Sequence, residues 1–122
     1  MMKEEIGQSA RQQAVLPRTA AKNEQVWLVQ ATVSHVMGVS LRELCATTRR
    51  RPQAAFARQI AMYLCHIVFE IGISESARAF GRDPSTVTHA LRRIEEMRED
   101  GEFDATLTTI ETMLVDTWKG AA

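Results

Sequence analysis

The apolar residues change from no regular pattern to a helical pattern near residue 24. The first 23 residues are polar and show neither a helical nor an alternating period, so they predict a flexible arm over residues 1–23. From Glu24 onward, apolar residues recur at spacings of three and four, which is the period of a helix with one buried face. These residues are Val26, Val29, Val33 and Val36. We expect this first helix to stop at Gly38.

A second, short helix is predicted by residues 40–43, which read Ser-Leu-Arg-Glu. In this order the Ser hydroxyl accepts a hydrogen bond from the amide three residues later, and the Glu side chain accepts one from the Ser amide, which makes a capping box. The helix should carry Leu41 and Leu44 into the core. Residues 47–52, Thr-Thr-Arg-Arg-Arg-Pro, then break the helical pattern and predict a basic loop.

Residues 53–71 carry the longest apolar stripe, and they predict the central helix of the core. The stripe consists of Ala57, Ile60, Ala61, Leu64, Val68 and Ile71. Gly72 follows at the position where a left-handed residue commonly ends a helix.

Two further helices are predicted to be joined by a tight turn. Ser74 is expected to cap a short helix over residues 75–80, and Gly81 lies in the turn that follows. Asp83 and Pro84 then begin a helix of about four turns, because Asp is a preferred N-cap and Pro is favoured at the first helical position. Its inward positions are Val87, Leu91, Ile94 and Met97. Two helices joined in this way are typical of a helix-turn-helix.

The last predicted element is an amphipathic, acidic helix over residues 104–118, and Gly101 is expected to close the helix before it. Its apolar positions are Leu107, Ile110, Leu114 and Trp118. No stretch of the sequence has the pattern of a strand. The sequence therefore predicts an all-α fold, a small bundle of about six helices around the helix-turn-helix, in one domain over residues 24–118.

Charge is segregated along the chain, although the formal net charge is zero. Residues 42–98 contain ten arginines and no lysine against six acidic residues, whereas residues 99–122 contain six acidic residues against one lysine. Arginine offers a planar fork of donors that suits phosphates and guanine edges. Charge alone is equally consistent with a nucleic-acid-binding face and with an ordinary surface.

The outer face of the second helix favours DNA binding. It carries Ser85, Thr86, Thr88, His89, Arg92 and Arg93. An ordinary surface helix would carry Glu and Lys here, since these are better helix formers. Short hydroxyl side chains at a helix start, followed by arginines, suit base edges flanked by phosphate contacts. The alternative is that Ser85 and Thr86 only help to cap the helix and that His89 is a surface histidine.

The stretch AFGRDPSTVTHALRRIEEMRE, together with ARQIAMYLCH upstream, resembles the C-terminal DNA-binding domain of the bacterial replication initiator DnaA. The resemblance covers about residues 26–99. It implies a small helical bundle around a helix-turn-helix whose second helix enters the major groove of duplex DNA. It also implies that an arginine of the preceding basic loop reaches the minor groove.

The resemblance assigns candidate DNA contacts position by position. The residues placed at base edges are Asp83, Pro84, Ser85 and Thr86, and His89 is placed near the backbone or a neighbouring base. Those placed at phosphates are Arg58, Gln59 and Ser74. The minor-groove arginine corresponds to Arg49 or Arg50. Arg82 and Arg92 complete the set of candidate DNA-binding residues.

Three departures limit what the resemblance implies. Pro84 stands where the family usually has a histidine, so only apolar contact remains there, for instance with a thymine methyl. The turn has one glycine, Gly81, where the family often has two. The sequence also lacks the G-x-x-x-x-G-K-[ST] phosphate loop of an ATPase module. We therefore expect a site related to the initiator's box and not the initiator's own activity.

Catalytic and metal-binding chemistry find little support in the sequence. Cys65 and His66 are adjacent, so on a helix their side chains point about 100° apart and share no ligand face. No pair of residues has the spacing of a zinc site. Cys45 and Cys65 are therefore expected to fill the core. We expect no enzymatic activity, no cofactor, no metal and no small-molecule substrate.

The location and the biological role are expectations of a coarser kind. No apolar run approaches the roughly 18 residues that cross a bilayer, and the first residues lack the apolar segment of a secretory signal. These features predict a cytoplasmic protein without a membrane partner, and the resemblance implies that it is bacterial and nucleoid-associated. The role we expect first is transcription regulation, and the alternative is competition or cooperation with the initiator at its boxes. A protein-interaction module is the alternative of another class, and a homodimer through the terminal helices, which carry Trp27 and Trp118, stays open.

Overall fold

The computed structural model describes residues 18–46 and 51–121, and these residues contain six helices and no strand. The helices are α1 (Arg18–Met37), α2 (Leu41–Leu44), α3 (Pro52–Phe69), α4 (Ile73–Phe80), α5 (Pro84–Met97) and α6 (Gly101–Ala121). The predicted all-α fold class is therefore confirmed. The first 17 residues of the predicted arm and residues 47–50 of the basic loop lie outside the described residues.

Helix α3 lies at the centre of the bundle, and the other five helices all pack against it. The predicted stripe is confirmed at its buried positions, which are Ala57, Ile60, Ala61, Leu64 and Ile71. Val68 is half-buried near the end of the helix. Burial of such an apolar face provides most of the stability of a helix in a folded protein.

Helix α1 begins at Arg18, six residues before the point where the apolar pattern starts. The additional residues carry no apolar stripe, and Lys22 among them forms an ion pair with Glu75 of α4. The predicted inward residues Val26, Val29 and Val33 are buried. Val36 is 42% exposed, so its predicted burial is wrong.

The capping box at the start of α2 is confirmed. The amide of Glu43 donates to Ser40 Oγ at 3.1 Å, and the amide of Ser40 donates to Glu43 Oε1 at 3.4 Å. Leu44 is fully buried, but Leu41 is 41% exposed.

The connection from α3 to α4 differs from the prediction. Glu70, with φ of 53°, is the left-handed residue that ends α3, whereas Gly72, with φ of −65°, is the N-cap of α4. Half of a capping box is present: the carboxylate of Glu75 accepts from the Gly72 amide at 3.1 Å, whereas glycine has no side chain that could accept from the Glu75 amide. Ser74 is thus the second residue of α4 and not its cap.

The turn between α4 and α5 follows the prediction. Gly81 adopts φ of 62°, a left-handed conformation that suits a residue without Cβ. The amide of Arg82 donates back to the carbonyl of Ala77 at 2.9 Å, which closes the turn. Asp83 is the N-cap of α5, and Pro84 is its first residue.

Helix α6 begins at Gly101 and not at residue 104. Asp100 caps it, because its Oδ1 accepts hydrogen bonds from the amides of Glu102 at 2.9 Å and Phe103 at 3.1 Å. Gly101 therefore opens α6 and does not close α5. The buried residues of this helix are Leu107, Ile110 and Leu114, as predicted.

Ion pairs at one end of α6 and an aromatic contact at the other end add to its apolar packing on the bundle. Arg98, just after α5, pairs with Asp104 at 2.5 Å and with Glu111 at 2.6 Å, and these partners hold the pKa of its guanidinium above its usual range. At the far end, Trp118 meets the ring of Phe69 edge to face, with 5.8 Å between ring centroids. Residues of α3, α5 and α6 are thereby joined outside the apolar core.

The two cysteines lie in different environments. Cys65 is fully buried in α3, as predicted, and burial raises the pKa of its thiol to about 12. Cys45 is exposed, because it forms the C-cap of α2 and not part of a helix interior. Its predicted burial is wrong. Among the described residues, no group of three or more His, Cys, Asp or Glu side chains could hold a metal ion.

No helix of the described residues is both long and apolar enough to cross a membrane.

Candidate DNA interface

The outer side of α5 presents a continuous stripe of exposed polar residues. They lie at spacings of three and four and are Ser85, His89, Arg92 and Glu96. The opposite side of the helix is buried in the core through Val87, Ala90 and Ile94. Thr86, Thr88 and Arg93 are exposed beside the stripe. The packing of α5 therefore leaves its first three turns accessible to a partner on one side.

A cleft of about 610 Å³ lies between α4 and the start of α5. The residues with polar or cyclic side chains that line it are Ser74, Arg78, Arg82, Asp83, Pro84 and Thr86. Five of these six are predicted site residues, and the fold brings them together from three segments. Arg78 is the residue that the sequence reasoning missed. The signal was present, since Arg78 follows Ser74 by four positions and thus lies on the same face of α4.

The start of α5 is rich in unused hydrogen-bonding groups. Asp83 is exposed and makes no side-chain capping bond, and its carbonyl accepts from the amide of Thr86 at 2.9 Å. Pro84 has no N–H, so Ser85 carries the first amide of the helix. A carboxylate at this place can accept from the amino group of cytosine, and a serine hydroxyl can both donate and accept.

Arg82 is engaged with the protein backbone. Its Nη2 donates to the carbonyl of Ala46 at 2.7 Å, and its Nη1 donates to those of Phe80 at 3.4 Å and Gly81 at 3.3 Å. The side chain thus connects the helix turn to the residue that precedes residues 47–50. This geometry gives Arg82 a positioning role at the edge of the cleft.

Arg58 lies in the interior and not on the phosphate-facing surface that the resemblance implies. It is only 6% exposed, and it donates from Nε to the carbonyl of Leu44 at 2.8 Å and from Nη2 to that of Glu43 at 3.0 Å. Burial, followed by the nearby Arg82 charge, lowers the pKa of the guanidinium. The direct phosphate contact expected of Arg58 is therefore corrected. Helical spacing carried this signal, because Ala54, Ala57 and Ala61 surround position 58 on the buried stripe.

Gln59 is half-buried at the contact between α3 and α5. Its Oε1 accepts a hydrogen bond from Arg93 Nη1 at 3.0 Å, and the Arg93 guanidinium lies 5.6 Å from the ring centroid of Phe56. The pair occupies one side of α5, next to the exposed stripe. A phosphate contact by Gln59 would use its amide nitrogen, because phosphate oxygens accept hydrogen bonds and only the NH2 group of the side chain can donate.

The segment that contains Arg49 and Arg50 lies outside the described residues, but both of its flanks are held on the bundle. Arg51 forms two hydrogen bonds with the carboxylate of Glu43, at 2.7 and 2.9 Å. This pairing is the main cause that lowers the pKa of Glu43. On the other side, the carbonyl of Ala46 is bonded to Arg82. The flanks of residues 47–50 thus connect to α2 and to the helix-turn-helix.

Residues 26–94 match the family model described as the bacterial dnaA protein helix-turn-helix. Among curated relatives, the chromosomal replication initiator protein DnaA of Tropheryma whipplei (strain Twist) is 31% identical over 98 residues, which is 78% of this chain and 20% of that protein. The DnaA of Ruegeria sp. (strain TM1040) is 36% identical over 88 residues, which is 70% of this chain and 18% of the relative. The chain thus spans about a fifth of the length of these relatives.

Solved structures agree with these relatives. A crystal structure of a DNA replication initiation factor superposes with a TM-score of 0.76 at 25% identity, over 95% of this chain and 37% of the other. AMPPCP-bound DnaA from Aquifex aeolicus superposes with a TM-score of 0.69 at 28% identity, over 84% of this chain and 31% of the other. Since the family model covers more than half of the residues, including all of α4 and α5 up to Ile94, the chain belongs to the family of the bacterial DnaA helix-turn-helix domain.

Proposed function

We propose that this protein binds duplex DNA with a sequence preference, with the start of α5 in the major groove. The observation that carries the proposal is the accessible face formed by the cleft and the α5 stripe, where Asp83, Ser85 and Thr86 are exposed at the start of a helix. Helices of this kind read base edges with their first residues, while the preceding helix crosses the sugar–phosphate backbone. The relatives of this chain are replication initiators by name, which supports DNA as the partner.

The residues fall into four proposed roles. Those proposed to contact base edges are Asp83, Pro84, Ser85, Thr86 and His89. Those proposed to contact phosphates are Gln59, Ser74 and Arg92. Arg49 or Arg50 is proposed to reach the minor groove. Arg58 and Arg82 are proposed to position the backbone that precedes residues 47–50.

The first experiment selects preferred sites from random duplexes and then measures affinity by fluorescence anisotropy at several salt concentrations. We expect a preferred site and a steep loss of affinity with salt, with the logarithmic slope falling by about 0.9 for each phosphate contact removed. A palindromic site would indicate a dimer, and an asymmetric site would indicate a monomer. Equal displacement by duplexes of any sequence would contradict the proposal.

Substitution of Thr86 tests the role of base reading. Thr86→Ala should cost about 1–3 kcal/mol on the preferred duplex and little on a random one. Thr117→Ala on α6 is a matched control, because Thr117 is also an exposed helical threonine and does not line the cleft. Arg92→Gln should weaken binding to both duplexes equally. The division into base and phosphate contacts is wrong if Thr86→Ala and Arg92→Gln act alike.

We propose transcription regulation as the biological role, with competition or cooperation at initiator boxes as a second candidate. The second candidate is favoured by the relatives, which are replication initiator proteins. A map of occupancy along the chromosome separates the two roles. Binding spread over promoters supports regulation, whereas confinement to the replication origin supports the second candidate.

A further inference from the structure

Arg78 is an exposed arginine on the first helix of the helix-turn-helix. It lines the 610 Å³ cleft together with Ser74 and Thr86, and it also borders a second cleft of about 290 Å³ that Lys22 and Glu75 line. Among the described residues, its guanidinium makes neither a hydrogen bond nor an ion pair, in contrast to Arg58 and Arg82. Arg78 is thus a cation beside the candidate interface whose donors are still available.

The nearest candidate partner for Arg78 is Glu75, three positions earlier on the same helix. Residues at this spacing lie next to each other on a helix surface and commonly form ion pairs. The carboxylate of Glu75 is already occupied. Both of its oxygens accept from Lys22 Nζ at 2.8 Å, and Oε1 also accepts from the amide of Gly72 at 3.1 Å.

Lys22 is itself unsuited to bind a partner directly. Its side chain is only 20% exposed, and its ammonium group is directed to the Glu75 carboxylate. Lys22 is the dominant cause that lowers the pKa of Glu75, ahead of the Gly72 amide. The pair therefore keeps the Glu75 carboxylate bonded to α1. The charge of Arg78 also lowers the pKa of Glu75, but as the smallest cause and without a direct ion pair.

We propose that Arg78 contacts a DNA phosphate, and that the Lys22–Glu75 pair sets the affinity for DNA by leaving Arg78 without an acidic partner. The inference rests on the proposed duplex binding and adds one contact and one control element to it. A phosphate fits this place because α4 is the helix expected to cross the backbone, and a guanidinium can donate two parallel hydrogen bonds to phosphate oxygens. Lys22 then influences DNA binding without a contact of its own.

The consequence for a Lys22 variant is specific. In Lys22→Met, Glu75 loses its partner on α1 and becomes available to pair with Arg78. DNA then has to displace Glu75, which should weaken binding about two- to fivefold, the range of an exposed ion pair. In the double variant Lys22→Met/Glu75→Gln, no carboxylate remains to compete, and affinity should return to the wild-type value. The glutamine oxygen can still accept from the Gly72 amide.

The experiment measures anisotropy of a preferred and a random duplex with the full chain and its variants Arg78→Gln, Lys22→Met, Glu75→Gln and Lys22→Met/Glu75→Gln. Arg78→Gln should weaken binding to both duplexes about equally and reduce the salt slope by about 0.9. Lys119→Gln on α6 is the control, because this exposed cation does not line either cleft. Far-UV circular dichroism and thermal melting show that each variant is folded at the temperature of the assay.

The outcomes separate the inference from the function on which it rests. Absence of duplex binding by the wild-type chain overturns the proposed function. If the wild type binds and Arg78→Gln keeps its affinity and salt slope, only the phosphate contact is overturned. If Lys22→Met binds as wild type, or if the double variant binds as weakly as Lys22→Met, the role of the Lys22–Glu75 pair is overturned.

Discussion

Arg58, Arg78 and Arg92 carry the same guanidinium group in three different surroundings. Arg58 is buried and donates to two backbone carbonyls, whereas Arg78 and Arg92 are exposed. Carbonyls at the end of a helix lack intrahelical partners. At the end of α2, Arg58 donates to the carbonyls of Leu44 and Glu43, and the Glu43 carbonyl also accepts from the amide of Ala46 at 3.3 Å. Residue type alone does not distinguish these roles, because burial and available partners decide between structure and binding.

Arg58→Met should therefore destabilise the fold more than it alters the binding surface. The change removes the donor to the buried Leu44 carbonyl and one of the donors to the Glu43 carbonyl, which should lower the free energy of unfolding by about 1–3 kcal/mol. Arg92→Met is the matched control and should change it by about 0.5 kcal/mol or less. Urea denaturation followed by circular dichroism measures both, and equal midpoints for the two variants would contradict the structural role of Arg58.

The two thiols should differ strongly in reactivity. Burial raises the pKa of Cys65 to about 12, so its thiolate is scarce at pH 8, and its side chain is also inaccessible. Cys45 is exposed. Ellman's reagent at pH 8 should label one thiol per folded chain and the second only in denaturant. In Cys45→Ser no thiol should react before unfolding, and rapid labelling of that variant would show that Cys65 is accessible.

At the scale of the helices, the ends depend on partners that a sequence pattern does not name. The apolar period predicted where α3 and α5 lie and which faces they bury, and residues 40–43 predicted the cap of α2. The start of α1 was missed because Lys22 is anchored by Glu75, which is distant in sequence. The start of α6 was missed because Asp100, and not residue 104, accepts the first amides.

Arg98 is the side chain that fastens α6 to the end of α5. Replacing it in Arg98→Met removes two ion pairs and a hydrogen bond to Tyr63. We expect a loss of about 1–3 kcal/mol in the free energy of unfolding, since the carboxylate of the largely buried Glu111 is left without its partner. The double variant Arg98→Met/Glu111→Gln should recover part of this loss in thermal melting. A double variant less stable than the single one would contradict the explanation.

At the scale of the whole molecule, α3 connects the candidate DNA interface to the acidic α6, because every other helix packs on it. The candidate site could be predicted on α5, where exposure follows from helical period and caps. For Arg58 and Arg78, helical spacing indicates the face of the helix but not the partners, which are the carbonyls of α2 for Arg58 and the already occupied Glu75 beside Arg78. Contacts between distant segments therefore define the part of the site that local patterns leave open.

Two ion pairs in different parts of the molecule, Arg51–Glu43 and Lys22–Glu75, should make its thermal stability depend on pH in the acid range. Hydrogen bonds from Arg51 and from Lys22 hold the pKa values of Glu43 and Glu75 below the ordinary value of 4.5. A carboxyl whose pKa is lowered by folding contributes stability above that ordinary value, and this contribution is lost as pH falls through its folded pKa. The melting temperature should thus fall below about pH 4.5, and less steeply in the double variant Glu43→Gln/Glu75→Gln. Parallel profiles would contradict a role for these carboxyls.

The contact of Trp118 with Phe69 gives the domain an optical probe at its carboxyl-terminal end. Trp118 is half-buried on the bundle, whereas Trp27 is 61% exposed. The wavelength of maximum indole emission is longer when water surrounds the ring, so we expect Trp27 to emit at a longer wavelength than Trp118. In Trp27→Phe a single chromophore would report whether the last turn of α6 is seated on α3. Helix α6 does not line the cleft beside α5. Tryptophan fluorescence of this variant can therefore report detachment of the end of α6 separately from binding at the candidate DNA interface.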